Sequence, residues 1–311
     1  MMWLRKWRVL VTDAKDEVAL DVSDLRITFE VRYAREISNY STLHIYNLNQ
    51  ETEKRIISEG DRVIIEAGYE SEGDDKPQRY GKIFDGQVVY PTRSKENNTD
   101  YVLTLLCIDG NNLLDKNFIS RSLNRGLNQR QLLQAVCDGG RVKIPIDYAS
   151  QGLSSQQLPR GRVIFGECKD CIADIARGNA AGYYIMDGKL HVTKMTDTVT
   201  GEALVTSPTT GLIGMPTQTQ YGASFRMLMN PAVKLGTMIQ IKNSEMNEYQ
   251  AQPGQAATPM DDDWIYQAIE VVHAGDTRGN DWYTNVTGIS RYGTGSLAAL
   301  MTNAAQNPNG V

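Results

Sequence analysis

The stretch Gly211-Leu-Ile-Gly-Met-Pro-Thr-Gln-Thr-Gln-Tyr-Gly-Ala-Ser-Phe-Arg-Met-Leu-Met-Asn-Pro-Ala-Val-Lys-Leu-Gly-Thr-Met-Ile-Gln-Ile-Lys242 decides the fold. Phe225, Met227 and Met229 alternate with Arg226 and Leu228, and Met238, Ile239 and Ile241 open a second apolar run. Alternation with a period of two marks a strand that buries one face. Asn230-Pro231 and Gly236 stand between the runs, and proline and glycine are turn residues because one fixes φ and the other permits φ > 0. The stretch therefore predicts two short strands joined by a tight turn.

The same grammar occurs earlier. Residues 40–49 followed by 60–67 resemble 221–230 followed by 236–242, with Tyr40 aligned to Tyr221 and Asn49 to Asn230. Each block leads through a polar loop to another strand pair, 82–90 with 100–108 in the first and 264–273 with 281–289 in the second. Two diverged copies of one small β module, far apart in the chain, are the main expectation.

The 311 residues suffice for two or three domains. A hydrophobic content of 41% and a charged content of 22% are those of a folded soluble protein. A net charge of −5 argues against sequence-independent binding to the DNA backbone, which needs clustered Lys and Arg, but not against a channel that DNA crosses. No apolar run reaches the roughly 20 residues of a spanning helix, so no membrane insertion is expected. The start of the chain alternates as a strand and lacks a signal peptide's apolar core, which predicts folding in a cytoplasm. Four cysteines do not make a disulfide framework in a chain of this length.

In order, strands are expected at 5–12, 25–33, 41–48, 61–70, 79–90 and 100–108. Asn49 reads as the N-cap of a short helix to Ser58, with Ile56 and Ile57 sealing one end of the module. Residues 111–210 differ in texture. Asn128 caps a helix with Leu132, Leu133 and Val136 on one face, ended by Gly139-Gly140. A second helix runs from Lys169 to Ala180 with Ile172 and Ile175 inward, and Tyr183–Thr193 is a hairpin around Asp187-Gly188. The loops 71–78 and 243–263 read as contact elements toward neighbours, because a loop of about twenty residues is usually functional. The tail beyond Tyr292 forms at most a brief helix at 296–303. The expected fold class is mainly β with an α+β insert: 1–110 and 211–295 as the two β modules, 111–210 as the intermediate domain, and 296–311 as a C-terminal tail.

Chemical signatures are sparse. Cys168-Lys-Asp-Cys171 could be a redox pair or half a zinc site, but zinc needs two further ligands at matching spacing, and Cys107, Cys137, His44, His191 and His273 stand isolated. On a helix the two thiols face one core, which makes packing the simpler reading. The three histidines lie in expected strands without a nucleophile and orienting partner nearby in sequence. Gly161–Gly166 is too sparse to cradle phosphate, and no protease, hydrolase or nucleotide fingerprint is present. Asp261-Asp262-Asp263 and Asp74-Asp75 read as solvated loop ends rather than cation sites. Trp264, Trp282 and Tyr283 could stack on sugars or bases, although aromatics at strand positions more often fill a core. The expected catalytic, cofactor and metal residues are therefore none, and no enzyme is expected.

Taken together, Gly211–Pro216, Leu228–Pro231, Leu235–Ile241, Tyr266–His273, Leu25–Val31, Ile45–Asn49 and Gly60–Ile65 resemble the baseplate hub proteins of contractile-tailed bacteriophages, which are related to the upper part of type VI secretion spike proteins. The resemblance spans nearly the whole chain. It implies two tube-type β-barrel domains in each chain, and a homotrimer whose six barrels form a pseudo-hexameric ring. Such a ring adapts the six-fold tail tube to the three-fold central spike and lets DNA pass. The implied partners are the tail tube or tube-initiator protein, the central spike, the baseplate wedge proteins and a tape measure protein, with no specific nucleic-acid binding. The implied location is the virion tail baseplate, assembled in the host cytoplasm. The alternatives are a carbohydrate- or receptor-binding tail protein that uses its surface aromatics, and an enzyme built on the CxxC.

Overall fold

The computed structural model describes residues 4–13, 19–35, 39–70, 79–194, 197, 203–219, 222–242 and 264–290. The expected elements at 71–78, 243–263 and beyond 290, with Asp74, Asp75 and Asp261 to Asp263, lie outside the described residues.

The first seven strands are β1 (Arg5–Asp13), β2 (Ala19–Asp21), β3 (Ile27–Ala34), β4 (Tyr40–Tyr46), β5 (Gly60–Tyr69), β6 (Tyr80–Lys95) and β7 (Tyr101–Ile108), with helix α1 (Gln50–Glu59) between β4 and β5. Asn49 caps α1, its side chain accepting from the Thr52 N–H. Ile56 is buried beneath the helix, whereas Ile57, expected beside it, is exposed. The insert contains α2 (Asn111–Leu114), β8 (Phe118–Leu123), α3 (Gln129–Gly139), β9 (Ile146–Ala149), β10 (Arg162–Glu167), α4 (Cys168–Gly178), β11 (Ala181–Met186) and β12 (Lys189–Lys194). Asn128 and Gln131 cap α3 reciprocally. The last strands are β13 (Leu204–Thr206), β14 (Leu212–Thr219), β15 (Gly222–Leu228), β16 (Met238–Ile241), β17 (Ile265–Asp276) and β18 (Trp282–Ser290).

Among the described residues, thirteen strands from the two ends of the chain form one mainly antiparallel sheet. Its N-terminal part pairs β3 with β4, β4 with β7, β7 with β6, and β6 with β5. Its C-terminal part repeats that order: β14 with β15, β15 with β18, β18 with β17, and β17 with β16. The sequence neighbours β15 and β16, expected as a tight pair, are thus not paired with each other. The Asn230-Pro231 turn carries the chain from one side of the module to the other.

The register matches the two parts residue by residue. β6 and β17 each carry one extra, unpaired residue, Val89 and Ile269, at the same place in the ladder. Leu43 opposes Leu105 as Phe225 opposes Val286, so Leu43 corresponds to Phe225 and Ile45 to Met227. This differs by one residue from the alignment of Tyr40 with Tyr221. The slip matters, because a shift of one turns every side chain to the other face. The outermost strands also differ: β1 runs antiparallel to β5, but β13 runs parallel to β16.

The two parts join where β17 pairs antiparallel with β3, from Glu270 opposite Ala34 to Asp276 opposite Thr28. Gly275 is required at this seam, since a Cβ there would stand 2.4 Å from the Phe29 ring. A single core runs beneath the seam. Trp282 lies in it, edge-on to Trp7 at 5.9 Å and Phe29 at 5.6 Å, and donates its indole N–H to the Gly68 carbonyl at 3.2 Å. The insert packs α3 and α4 on a separate core with β8 to β12. β11 links the two cores: Tyr184 and Met186 join the sheet core, while Ile185 between them joins the insert's.

Candidate functional site

Two features meet the description of a site: a charged junction where all parts of the chain converge, and the wet face of the long sheet.

The junction is built on Asp187-Gly188, the turn between β11 and β12. Both residues have positive φ, 54° and 71°, which suits a two-residue hairpin and falls to Gly188 without strain. The buried Asp109 carboxylate, just after β7, accepts the Asp187 N–H at 2.7 Å and the Gly188 N–H at 3.0 Å. Asp187 in turn binds Lys234 of the β15–β16 connection at 2.9 Å and Lys82 of β6 at 3.1 Å. Lys82 also reaches Asp85 at 2.9 Å, and Asp85 holds the Arg62 guanidinium in a fork, with Nε at 2.6 Å and Nη2 at 3.0 Å. First module, insert and second module are thus tied through one chain of charges around an open pocket of about 240 Å³, lined among others by Asp61, Asn112 and Gln87.

Burial raises the Asp85 carboxyl, but the hydrogen bonds from Arg62 and Lys82 outweigh it and hold it below the usual range. Asp187 behaves alike, burial being overcome by Lys234 and Lys82. Among the described residues no cation pairs with Asp109, and burial pushes it up to about 7 against its two backbone donors.

The wet face of the sheet runs across both modules through Thr104, His44, Thr42, Thr28, Glu30, Arg32, Val272, Asn285, Arg226, Thr287 and Ser224. Its cations are engaged sideways. Arg32 pairs with Glu270 across the seam, and Arg226 lies 4.1 Å over the Tyr283 ring while donating to Asn285 at 2.9 Å. The surface is therefore rich in hydroxyls and amides, with one ion pair across the seam and Arg226 laid along the sheet.

The residues singled out in the sequence fall elsewhere. Cys168 and Cys171 sit in the first turn of α4, buried and half-buried, and burial raises both thiols, which opposes thiolate chemistry. Cys107 and Cys137 are buried and pushed up to about 12. His44 hydrogen-bonds Thr104 at 2.8 Å on the wet face. His191 stacks on Tyr184, with centroids 5.0 Å apart. His273 is buried against Thr284 at 2.9 Å, and burial pushes it down to about 4. Among the described residues no three His, Cys, Asp or Glu side chains are placed to share a metal ion. Trp282 belongs to the core and Tyr283 to the opposite face, so the three aromatics do not make a common platform. Gly161–Gly166 mostly forms strand β10. The junction residues went unread in the sequence. Only Asp187-Gly188 carried a signal, as a turn.

Comparison with known families gives a match to the family model described as baseplate hub gp41 over residues 8–252. A sequence comparison with curated proteins returns no match. Several solved structures share the fold. The 43 kDa tail protein of prophage MuSo2 from Shewanella oneidensis aligns with TM-score 0.58 at 9% identity, over 92% of this chain and 99% of that one. A tail protein from Neisseria meningitidis MC58 aligns with TM-score 0.57 at 8% identity, covering 93% and 97%. An Escherichia coli type VI secretion component, described as similar to T4 tail proteins gp27 and gp5, aligns with TM-score 0.50 at 9% identity, covering 86% and 75%.

Proposed function

The chain belongs to the baseplate hub gp41 family, and from that premise we propose that it is the hub of a contractile tail, a homotrimer whose six β modules form a ring between tail tube and central spike. Family membership gives it a structural role in the virion tail baseplate. The ring, its stoichiometry and the passage of DNA are our reading. The observation that carries it is the repeated pairing order, β4-β7-β6-β5 and β15-β18-β17-β16, within one sheet. On this reading the chain comprises two tube-type barrels and an α+β insert, and a doubled module lets three subunits meet six-fold tube subunits above and a three-fold spike below. The wet face then lines the lumen. Its hydroxyls and amides, with few cations among them, suit a wall that a polyanion crosses without being held. The charged junction fixes the insert against both modules, so that force along the tail axis acts on a rigid body. Tube or tube-initiator, spike, wedge and tape measure proteins are the expected neighbours, and contractile particles of any kind, phage or pyocin-like, are the expected setting.

Mass measurement of the hub released from assembled particles tests the reading. Three copies are expected. A strict monomer within particles would sink it.

A further inference from the structure

We propose that the outer face of the β8–β10 ribbon docks on a bilayer surface that carries acidic phospholipids. Phe165 and Val163 enter the apolar boundary beneath the headgroups, and the cations around them meet the phosphates. The inference goes beyond the structural role and does not rest on the ring.

The ribbon has two unlike faces. Ile119, Leu123 and Ile164 turn inward and belong to the insert's core. The alternate residues turn outward: Val163 stands opposite Ser122, Phe165 opposite Ser120 and Glu167 opposite Phe118. Val163 is 73% exposed, Phe165 75% and Phe118 44%, and the two phenyl rings meet edge-on at 4.8 Å. Asn117 brings in one more apolar side chain. Its amide donates to the Val142 carbonyl at 2.8 Å and accepts the Val142 N–H at 3.1 Å, and Val142 is itself exposed. Apolar side chains gathered in the open in this way mark a binding surface.

The rim of the patch is cationic. Between residues 116 and 163 the chain has eight Lys and Arg against two Asp, whereas the remainder has 24 against 35 Asp and Glu. Lys116, Arg141, Lys143, Arg160 and Arg162 flank the patch in sequence, and all are exposed. Among the described residues none of these five side chains holds an ion pair or a hydrogen bond. The sheet's cations behave otherwise: Arg32, Arg62 and Lys82 each hold a carboxylate. Glu167, the acid on the ribbon's outer face, is taken up by Lys169 at 2.7 Å.

These two properties select the occupant. An apolar centre within a rim of free cations fits a partner that is anionic at its surface and apolar just below. Bilayers with acidic headgroups are layered in that order. Duplex DNA supplies the anionic surface but no apolar layer for Phe165 and Val163. Docking needs no spanning segment, and no described helix is long and apolar enough to cross a membrane.

The test is sedimentation of the full-length chain with vesicles of phosphatidylcholine alone or of equal parts phosphatidylcholine and phosphatidylglycerol. Binding to the mixed vesicles, weakened by salt, with little binding to the neutral ones, is the expected result. The double variant Val163→Ser, Phe165→Ser should bind at least about ten-fold more weakly. Arg141→Gln with Lys143→Gln should lose roughly five-fold per cation. All four side chains are exposed, so thermal unfolding should be unchanged in both variants. A chain that ignores the mixed vesicles overturns the proposal, and so does one whose variants bind them undiminished. Duplex DNA that displaces the vesicles, and still binds the Val163→Ser, Phe165→Ser variant at full strength, reassigns the rim to nucleic acid and overturns it too. None of these outcomes bears on the copy number of the hub.

Discussion

The two modules share a pairing order yet differ at almost every matched position. Leu43 and Ile45 in the first become Phe225 and Met227 in the second, and Leu105 becomes Val286. The larger difference lies at one edge. In the second module β17 is covered by β3, and its neighbour Trp282 is core. In the first no described strand covers the corresponding edge of β6, and Tyr101 is 44% exposed beneath Arg93 and Lys95. One ladder geometry thus ends in a buried tryptophan in one module and in a half-exposed tyrosine in the other.

The strongest way to break this comparison is to delete both matched aromatics. Trp282→Ala should destabilise the isolated chain by roughly 3–5 kcal/mol, because it opens a cavity in a core shared by both modules. Tyr101→Ala should cost less than about 1 kcal/mol, because its side chain is 44% exposed. Equal losses in urea unfolding would show that the two edges are not different in kind.

The junction gives the next effect. Asp85→Ala leaves Arg62 and Lys82 without their shared carboxylate in a half-buried setting and should cost about 1–3 kcal/mol. An unchanged unfolding midpoint would mean that these charges are held no better than in water.

Asp109 predicts a dependence on pH. Its folded value of about 7 lies above the ordinary 3.8, so the protonated form favours the fold. Its own contribution grows as pH falls from 7 toward 4, by at most about 1.4 kcal/mol per unit. His273, pushed down to about 4, opposes it below about 6.5, because the buried ring folds neutral and the unfolded one takes up a proton. Below about 3.8 stability falls further as acid protonates Asp85 and Asp187, whose folded values are depressed. Asp109→Asn should therefore lose stability more steeply between pH 6.5 and 5 than the unaltered chain does. Parallel profiles for the two chains would show that the Asp109 carboxyl is not raised.

The smallest effect is expected at the seam's surface. Arg32 and Glu270 are both substantially exposed, and Arg32→Ala should cost under about 1 kcal/mol and less at high salt. A larger loss would mean that the seam depends on this pair rather than on its backbone ladder and on Phe29.

Strands with one wet and one dry face were legible. β3 buries Ile27, Phe29, Val31 and Tyr33 and exposes or half-exposes the residues between, so its period of two survives in the sequence. β8 and β10 were not, because Phe118, Val163 and Phe165 point outward opposite the inward Ile119 and Ile164, and alternation vanishes. β2 is three residues long and too short to carry a period. Pairing was hidden for a different reason. β15 finds β18 across more than fifty residues, and no local pattern encodes which apolar strand meets which. The junction was hidden most deeply, since Arg62, Lys82, Asp85, Asp109, Asp187 and Lys234 are ordinary surface types until the fold gathers them.

The central claim is that one duplicated module lets three chains imitate six. A cross-section of the assembled particle at the level of the hub tests it directly. The account predicts six β lobes around a lumen, contributed by three chains. Six separate chains, or three lobes in all, would contradict it.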